Sequence, residues 1–136
     1  MSYGAAAALQ AAIYQRLTTD QTLNALVGDA IFDMPPQGEL PTTYVSLGPE
    51  EVRDASDKTG SGALHRVTIS VVSDAEGFAT VKAAAAAISD ALTGDMLTLS
   101  RGRLIGLWFD RAKARRVGFD DRRRVDLRFS ARIEDN

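Results

Sequence analysis

Residues 124–133 constrain this chain more than any other stretch. Arg124-Val125-Asp126-Leu127-Arg128-Phe129-Ser130-Ala131-Arg132-Ile133 alternates polar and apolar side chains without a break. Successive side chains on a strand point to opposite faces. Val125, Leu127, Phe129, Ala131 and Ile133 are therefore expected inside, with Arg124, Asp126, Arg128, Ser130 and Arg132 outside. A strand with one wet face belongs to an antiparallel sheet covered on its other face only.

The rest of the chain supplies that cover and the neighbouring strands. Thr42–Leu47 alternates around Thr43, Val45 and Leu47, and Leu64–Val72 around Val67, Ile69 and Val71, with Arg66, Thr68 and Ser70 outward. Short strands are expected at 30–33 and 96–99, and another at 104–109. In the last, Ile105, Leu107 and Phe109 share a parity that continues into Arg111, Lys113 and Arg115. One straight strand cannot serve both sets, so a bulge near Asp110, or a strand that outruns the core, is expected.

Helices are read at 4–18, where Leu9, Ile13 and Leu17 recur every four positions, and at 75–93, where Phe78, Val81, Ala85, Ile88 and Leu92 follow helical spacing. Asp74 is the expected N-cap of the second of these, with Glu76 favourable in its first turn and Gly94 as its stop. A short helix lies between them, after Thr18-Thr19-Asp20, where Thr18 and Gln21 have capping-box spacing, and it ends at Gly28. The polar, glycine-ended segment 50–62 reads as a loop or the projecting arm of a long hairpin. The order is α-α-β-β-β-α-β-β-β. The fold class is α+β, an antiparallel or mixed β-sheet with two main helices packed on one face. At 136 residues the chain is long enough for a single domain, 1–136, with its own core.

Charge narrows the function classes. Residues 101–132 hold 11 of the 16 Lys and Arg but 4 of the 18 Asp and Glu, so the net charge of −2 nearly cancels a basic segment against an acidic remainder. The whole chain is no nucleic-acid coat. Arg111, Lys113, Arg115, Arg116, Arg122, Arg123 and Arg124 crowd two strand ends and a turn. Three readings stay open for them: a protein interface with an acidic patch, a face toward nucleic acid, or a solvated strand edge.

Catalytic chemistry has little to work with. There is no cysteine and a single histidine, His65, so thiolate sites and histidine clusters are excluded. His65 has no evident partner in sequence and reads as structural. Gly60-Ser61-Gly62 lacks the strand-then-helix context of a phosphate loop, and Asp120-Asp121 with Asp126 is too sparse for calcium. The reading is a non-enzyme with no cofactor and no metal. No run of apolar residues reaches membrane-spanning length, and the start lacks a basic n-region.

Taken in order, the short signals resemble the small tail-completion proteins, or tail terminators, of tailed bacteriophages and gene transfer agents. They are Ala8-Leu9-Gln10-Ala11-Ala12-Ile13-Tyr14-Gln15-Arg16-Leu17, then Leu23-x-x-Leu26-Val27-Gly28, and Ile31-Phe32-Asp33-x-x-Pro36-Gln37-Gly38. Pro41-x-x-Tyr44-Val45-Ser46-Leu47-Gly48 and His65-Arg66-Val67-Thr68-Ile69-Ser70-Val71-Val72-Ser73 follow, with the alanine-rich helix and Gly102-Arg103-Leu104 completing the set. Many relatives carry Trp where Val72 stands, a departure that weakens the analogy for local packing there but not the overall match.

The resemblance implies a structural virion protein, assembled in a bacterial cytoplasm. It implies a homo-hexameric ring at the head–tail joint that caps the tail tube and meets the head connector, or stopper, protein. DNA passes through the ring without sequence-specific contact. Arg53, Asp57 and Lys58 in the arm, with the basic group at 111–124, are its candidate interface or channel residues. Two alternatives are a small DNA-binding accessory protein using 111–124 and a stopper rather than a terminator.

Overall fold

The strands expected from alternation assemble into one mixed sheet in the computed structural model, which describes residues 3–33, 37–56, 60–74, 78–118 and 122–135. The elements are α1 (Ala6–Thr18), α2 (Gln21–Val27), β1 (Ile31–Phe32), β2 (Thr43–Asp54), β3 (Gly62–Ser73), α3 (Ala79–Thr93), β4 (Arg103–Val117) and β5 (Arg122–Glu134). Strand order is β1-β2-β3-β5-β4. β1 runs parallel to β2, and every other neighbouring pair is antiparallel. The α+β reading holds, with a mixed sheet.

The helices meet the sheet on one face. Leu9, Ile13 and Leu17 of α1 and Val81, Ala84, Ala85, Ile88 and Leu92 of α3 join Val45, Ile69, Val71, Leu127, Phe129 and Ile133 in a single cluster. The apolar parity expected for β5 is buried throughout. The alanines of α3 let it lie close to β3 and β5, because a side chain ending at Cβ keeps the helix near the sheet. A small second cluster of Ala30, Tyr44 and Val72, flanked by Phe32 and Leu40, sits on the opposite face near β1.

Several local expectations are corrected. Asp20, not Thr18, caps α2: the Leu23 N–H donates to Asp20 Oδ2 at 2.9 Å, while the Thr18 hydroxyl donates back to the Gln15 carbonyl. α3 begins at Ala79 behind Phe78, with no side-chain cap bond. Asp74 is exposed coil whose N–H donates to the Thr42 carbonyl, and Glu76 lies outside the described residues. Gly28 stops α2 at a positive φ of 62°, as read.

Residues 96–99 form no strand. Leu97 is buried, and Arg16 of α1 reaches across to donate to the Ala91 and Asp95 carbonyls at 2.9 and 2.8 Å. That guanidinium satisfies carbonyls at the frayed end of α3, so the connection is held from α1 and has no need of a ladder. Among the described residues the sheet therefore has five strands.

The register of β4 against β5 shifts between Leu104 and Gly106 and again between Phe109 and Arg111. The second shift is the bulge expected near Asp110. It turns Arg111, Lys113 and Arg115 away from the face that Phe109 occupies. The expectation of a buried trio fails in part: Leu107 is half-buried, but Ile105 and Phe109 are 36% and 46% exposed. β4 is an edge strand, and α3 touches it but leaves these two side chains part-exposed.

Of the segment 50–62, Glu50–Asp54 belongs to β2 and pairs with Val67–Ala63 of β3. The Ala55 N–H donates to the Gly62 carbonyl at 2.9 Å beyond the ladder. Asp57 and Lys58 lie outside the described residues.

Candidate interaction face

Cross-strand pairing sorts the charged residues onto the side of the sheet away from the helices. One row across the sheet is Glu51–Arg66–Ser130–Trp108, and another is Arg53–Leu64–Arg132–Gly106. Further along come Thr68–Arg128–Arg111, then Ser46–Ser70–Asp126–Lys113, then Tyr44–Val72–Arg124–Arg115. Arg53, Arg66, Arg111, Lys113, Arg115, Arg124, Arg128 and Arg132 thus share one face with the acids Glu51, Asp110 and Asp126. A sheet face with this excess of cations is an electrostatic surface for anions or acidic protein patches.

Asp126 organises the centre of that face. Its Oδ1 accepts from Ser70 Oγ at 2.6 Å and Arg124 Nε at 2.8 Å, and its Oδ2 accepts from Arg115 Nη2 at 3.3 Å. Arg124 Nη2 also donates to Ser70 Oγ at 3.1 Å. Burial alone would raise the Asp126 pKa. The bonds from Ser70 and Arg124, with the Arg124 charge, outweigh it and hold the carboxyl below its ordinary value. Ser130 Oγ donates to Asp110 Oδ2, so the bulge residue is anchored to β5. Arg132 Nη2 donates to the Ala55 carbonyl at 2.9 Å and ties β5 to the hairpin end.

The expected basic group does not act as one cluster. Arg53, Arg111, Lys113, Arg115 and Arg124 lie on this face, and Arg122 shares their strand parity. Arg116 and Arg123 pair with each other on the helix side, and Arg123 lies over the Phe78 ring at 5.3 Å from its centroid. Arg66, Arg128 and Arg132 complete the face and were not among the candidates. Their signal was in the sequence, as outward positions of two alternating strands, but clustering in sequence drew attention to 111–124 instead.

Elsewhere the chemistry is sparse. Among the described residues no group of three His, Cys, Asp or Glu side chains could hold a metal ion. His65 is fully buried on the core side, paired in register with Val52 and Ala131, and neither ring nitrogen has a hydrogen-bond partner among the described residues. Burial lowers its pKa, and the charge of Glu50 opposes that shift only in part. A recess of about 150 Å³ lies beside the β2 irregularity, between Ile13, Leu47, Pro49 and Glu50, and wider, more open ones of about 310 and 410 Å³ lie between α3 and β4 and along the outer side of α1. Among the described residues no helix is long and apolar enough to cross a membrane.

Residues 11–134 match the protein family described as "Tail completion protein gp17". A solved chain from the "Virion of native gene transfer agent (GTA) particle" superposes with a TM-score of 0.92. It is 66% identical, and the alignment covers 98% of this chain and 99% of that one. The search of curated proteins returned no match.

Proposed function

Because the chain belongs to the family of tail completion protein gp17, we propose that it is a structural tail-completion protein of a gene transfer agent or phage particle. It caps the finished tail tube and joins it to the head connector as a ring of copies around a channel for DNA. The supporting observation is the near full-length likeness, at 66% identity, to a chain of a gene transfer agent virion. At that identity, over 98% of the chain, both the core and the surface are constrained together.

The basic sheet face fits the same reading. DNA moving through a channel is best met by sequence-blind positive charge that does not grip it. Here Glu51, Asp110 and Asp126 are interleaved with the cations on that face, and Asp126 ties down Arg115 and Arg124. Fewer free cations mean fewer released counterions and shallower salt dependence. The alternative of a freestanding DNA-binding protein calls for the opposite, an unneutralised patch.

Electron microscopy of particles made without this gene tests the role. The expected result is heads and tails that fail to join, or tails of uncontrolled length, with joining restored by the intact gene. Normal particles without the chain would overturn it.

A further inference from the structure

The cations on the sheet face away from the helices fall into two sets. Arg115 and Arg124 are bonded to Asp126, and Arg132 to the Ala55 carbonyl. Arg53, Arg66, Arg128 and Lys113 make no hydrogen bond or ion pair among the described residues. The Nε atoms of Arg66 and Arg128 are also closed off from water without an acceptor. A shielded donor left unpaired destabilises the fold, so both side chains call for an anionic oxygen that the chain does not supply.

The unbonded set is ordered. Arg53 lies in the row Arg53–Leu64–Arg132, Arg66 in Glu51–Arg66–Ser130, Arg128 in Thr68–Arg128–Arg111 and Lys113 in Ser70–Asp126–Lys113. From Arg53 on β2 to Arg66 on β3, Arg128 on β5 and Lys113 on β4, each step goes one strand across and one row along. Neighbouring strands lie about 4.8 Å apart and same-face residues about 6.7 Å, so each step is about 8 Å and the whole line about 25 Å. The acids of the face stand off this line. Asp110 is held by Ser130, Asp126 by Ser70 and Arg124, and Glu51 lies beside Arg66 toward the β2 edge.

We infer that this diagonal is a contact line for the phosphates of one DNA strand, which crosses the sheet obliquely. The contact deepens the proposed role, naming the residues through which the chain meets DNA, and rests on that role for its setting. Charge complementarity selects a polyanion, and composition selects DNA over an acidic protein. A protein interface has an apolar centre, whereas Trp108 is the one exposed large hydrophobic side chain in these rows. Phosphate contacts carry no sequence preference. Four of them hold DNA weakly enough for it to slide.

The test is fluorescence anisotropy of a labelled DNA duplex with the purified full chain, between about 50 and about 200 mM salt. Affinity is expected to fall linearly with salt on logarithmic axes. Arg66→Gln with Arg128→Gln is expected to reduce that slope by about half, because two of four contacts are lost. Arg53→Gln with Lys113→Gln alters only exposed side chains and is expected to do the same. Lys82→Gln with Arg103→Gln removes as much charge from outside the line and is expected to leave the slope unchanged.

Equal losses from all three pairs would mean attraction by net charge alone and overturn the line. So would a duplex that does not bind at low salt, or unchanged slopes in both line pairs. An oligoglutamate peptide that displaces the duplex as well as unlabelled DNA of equal charge would overturn it in favour of an acidic protein. The two proposals fail separately. A chain that binds DNA along the line but is dispensable for joining loses the tail-completion role and keeps the line, and the converse result does the reverse.

Discussion

Phe129 shows how much rests on single residues here. It is fully buried, and its ring meets that of its cross-strand partner Phe109 edge-on, with centroids 5.9 Å apart. It is thus one of the points, with Leu104 and Leu107 of β4, where the edge strand is tied to the core. Truncation to alanine removes most of an aromatic side chain and leaves a void under α3. Phe129→Ala is expected to cost about 3–5 kcal/mol in urea denaturation. A loss below about 1 kcal/mol would show that α3 collapses onto the gap. The burial of Phe129 was legible, since it sits in the middle of an unbroken alternation. The contact with Phe109 was not, because two bulges stand between β4's sequence and its register.

At the scale of elements, α3 and β4 carry the fold's asymmetry. α3 is built from alanine on both sides, but only one side touches the sheet: Ala84, Ala85 and Ala87 are buried, whereas Ala83 and Ala86 are exposed. Ala84→Leu adds volume where no space exists and is expected to destabilise by about 1–3 kcal/mol. Ala83→Leu on the outer side is expected to stay within about 0.5 kcal/mol. Equal effects in thermal melts would contradict the close approach of helix and sheet. The helical period of 75–93 was plain in sequence, but its start was not. Asp74 resembles a cap in every local respect, yet its N–H is already committed to the Thr42 carbonyl. Likewise 96–99 alternates like a strand, and Arg16, far away in sequence, holds the preceding connection instead.

For the whole molecule, two buried or half-buried groups make stability depend on pH. The His65 pKa is lowered from its ordinary 6.5 by burial, so the unfolded chain takes up a proton that the folded chain refuses. Its contribution is complete above pH 6.5 and declines as the pH falls below that value. The Asp126 carboxyl is also held below its ordinary 3.8, so its contribution is present above that pH and lost as the pH falls through the folded value. Both losses lie on the acid side. Melting temperature is expected to hold steady from pH 8 to about 7 and to fall as acid is added. His65→Leu should flatten the first part of that fall and leave the part near pH 4. An unchanged profile in the variant would show that His65 does not titrate as its burial requires.

The sequence by itself determined the class of fold, the inward and outward faces of β3 and β5, the main helices, the β4 bulge and, through ordered short signals, the family. These are properties of period and local order, and a strand's two faces differ wherever one is buried. Only the tertiary structure decided which strands are edges and which arginines stand together. Alternation gives a residue's side but not its neighbour across the ladder. Arg66, Arg128 and Arg132 therefore join Arg53 and Arg111 only once β3 is seen between β2 and β5, and Arg123 leaves them because the same order puts it under Phe78.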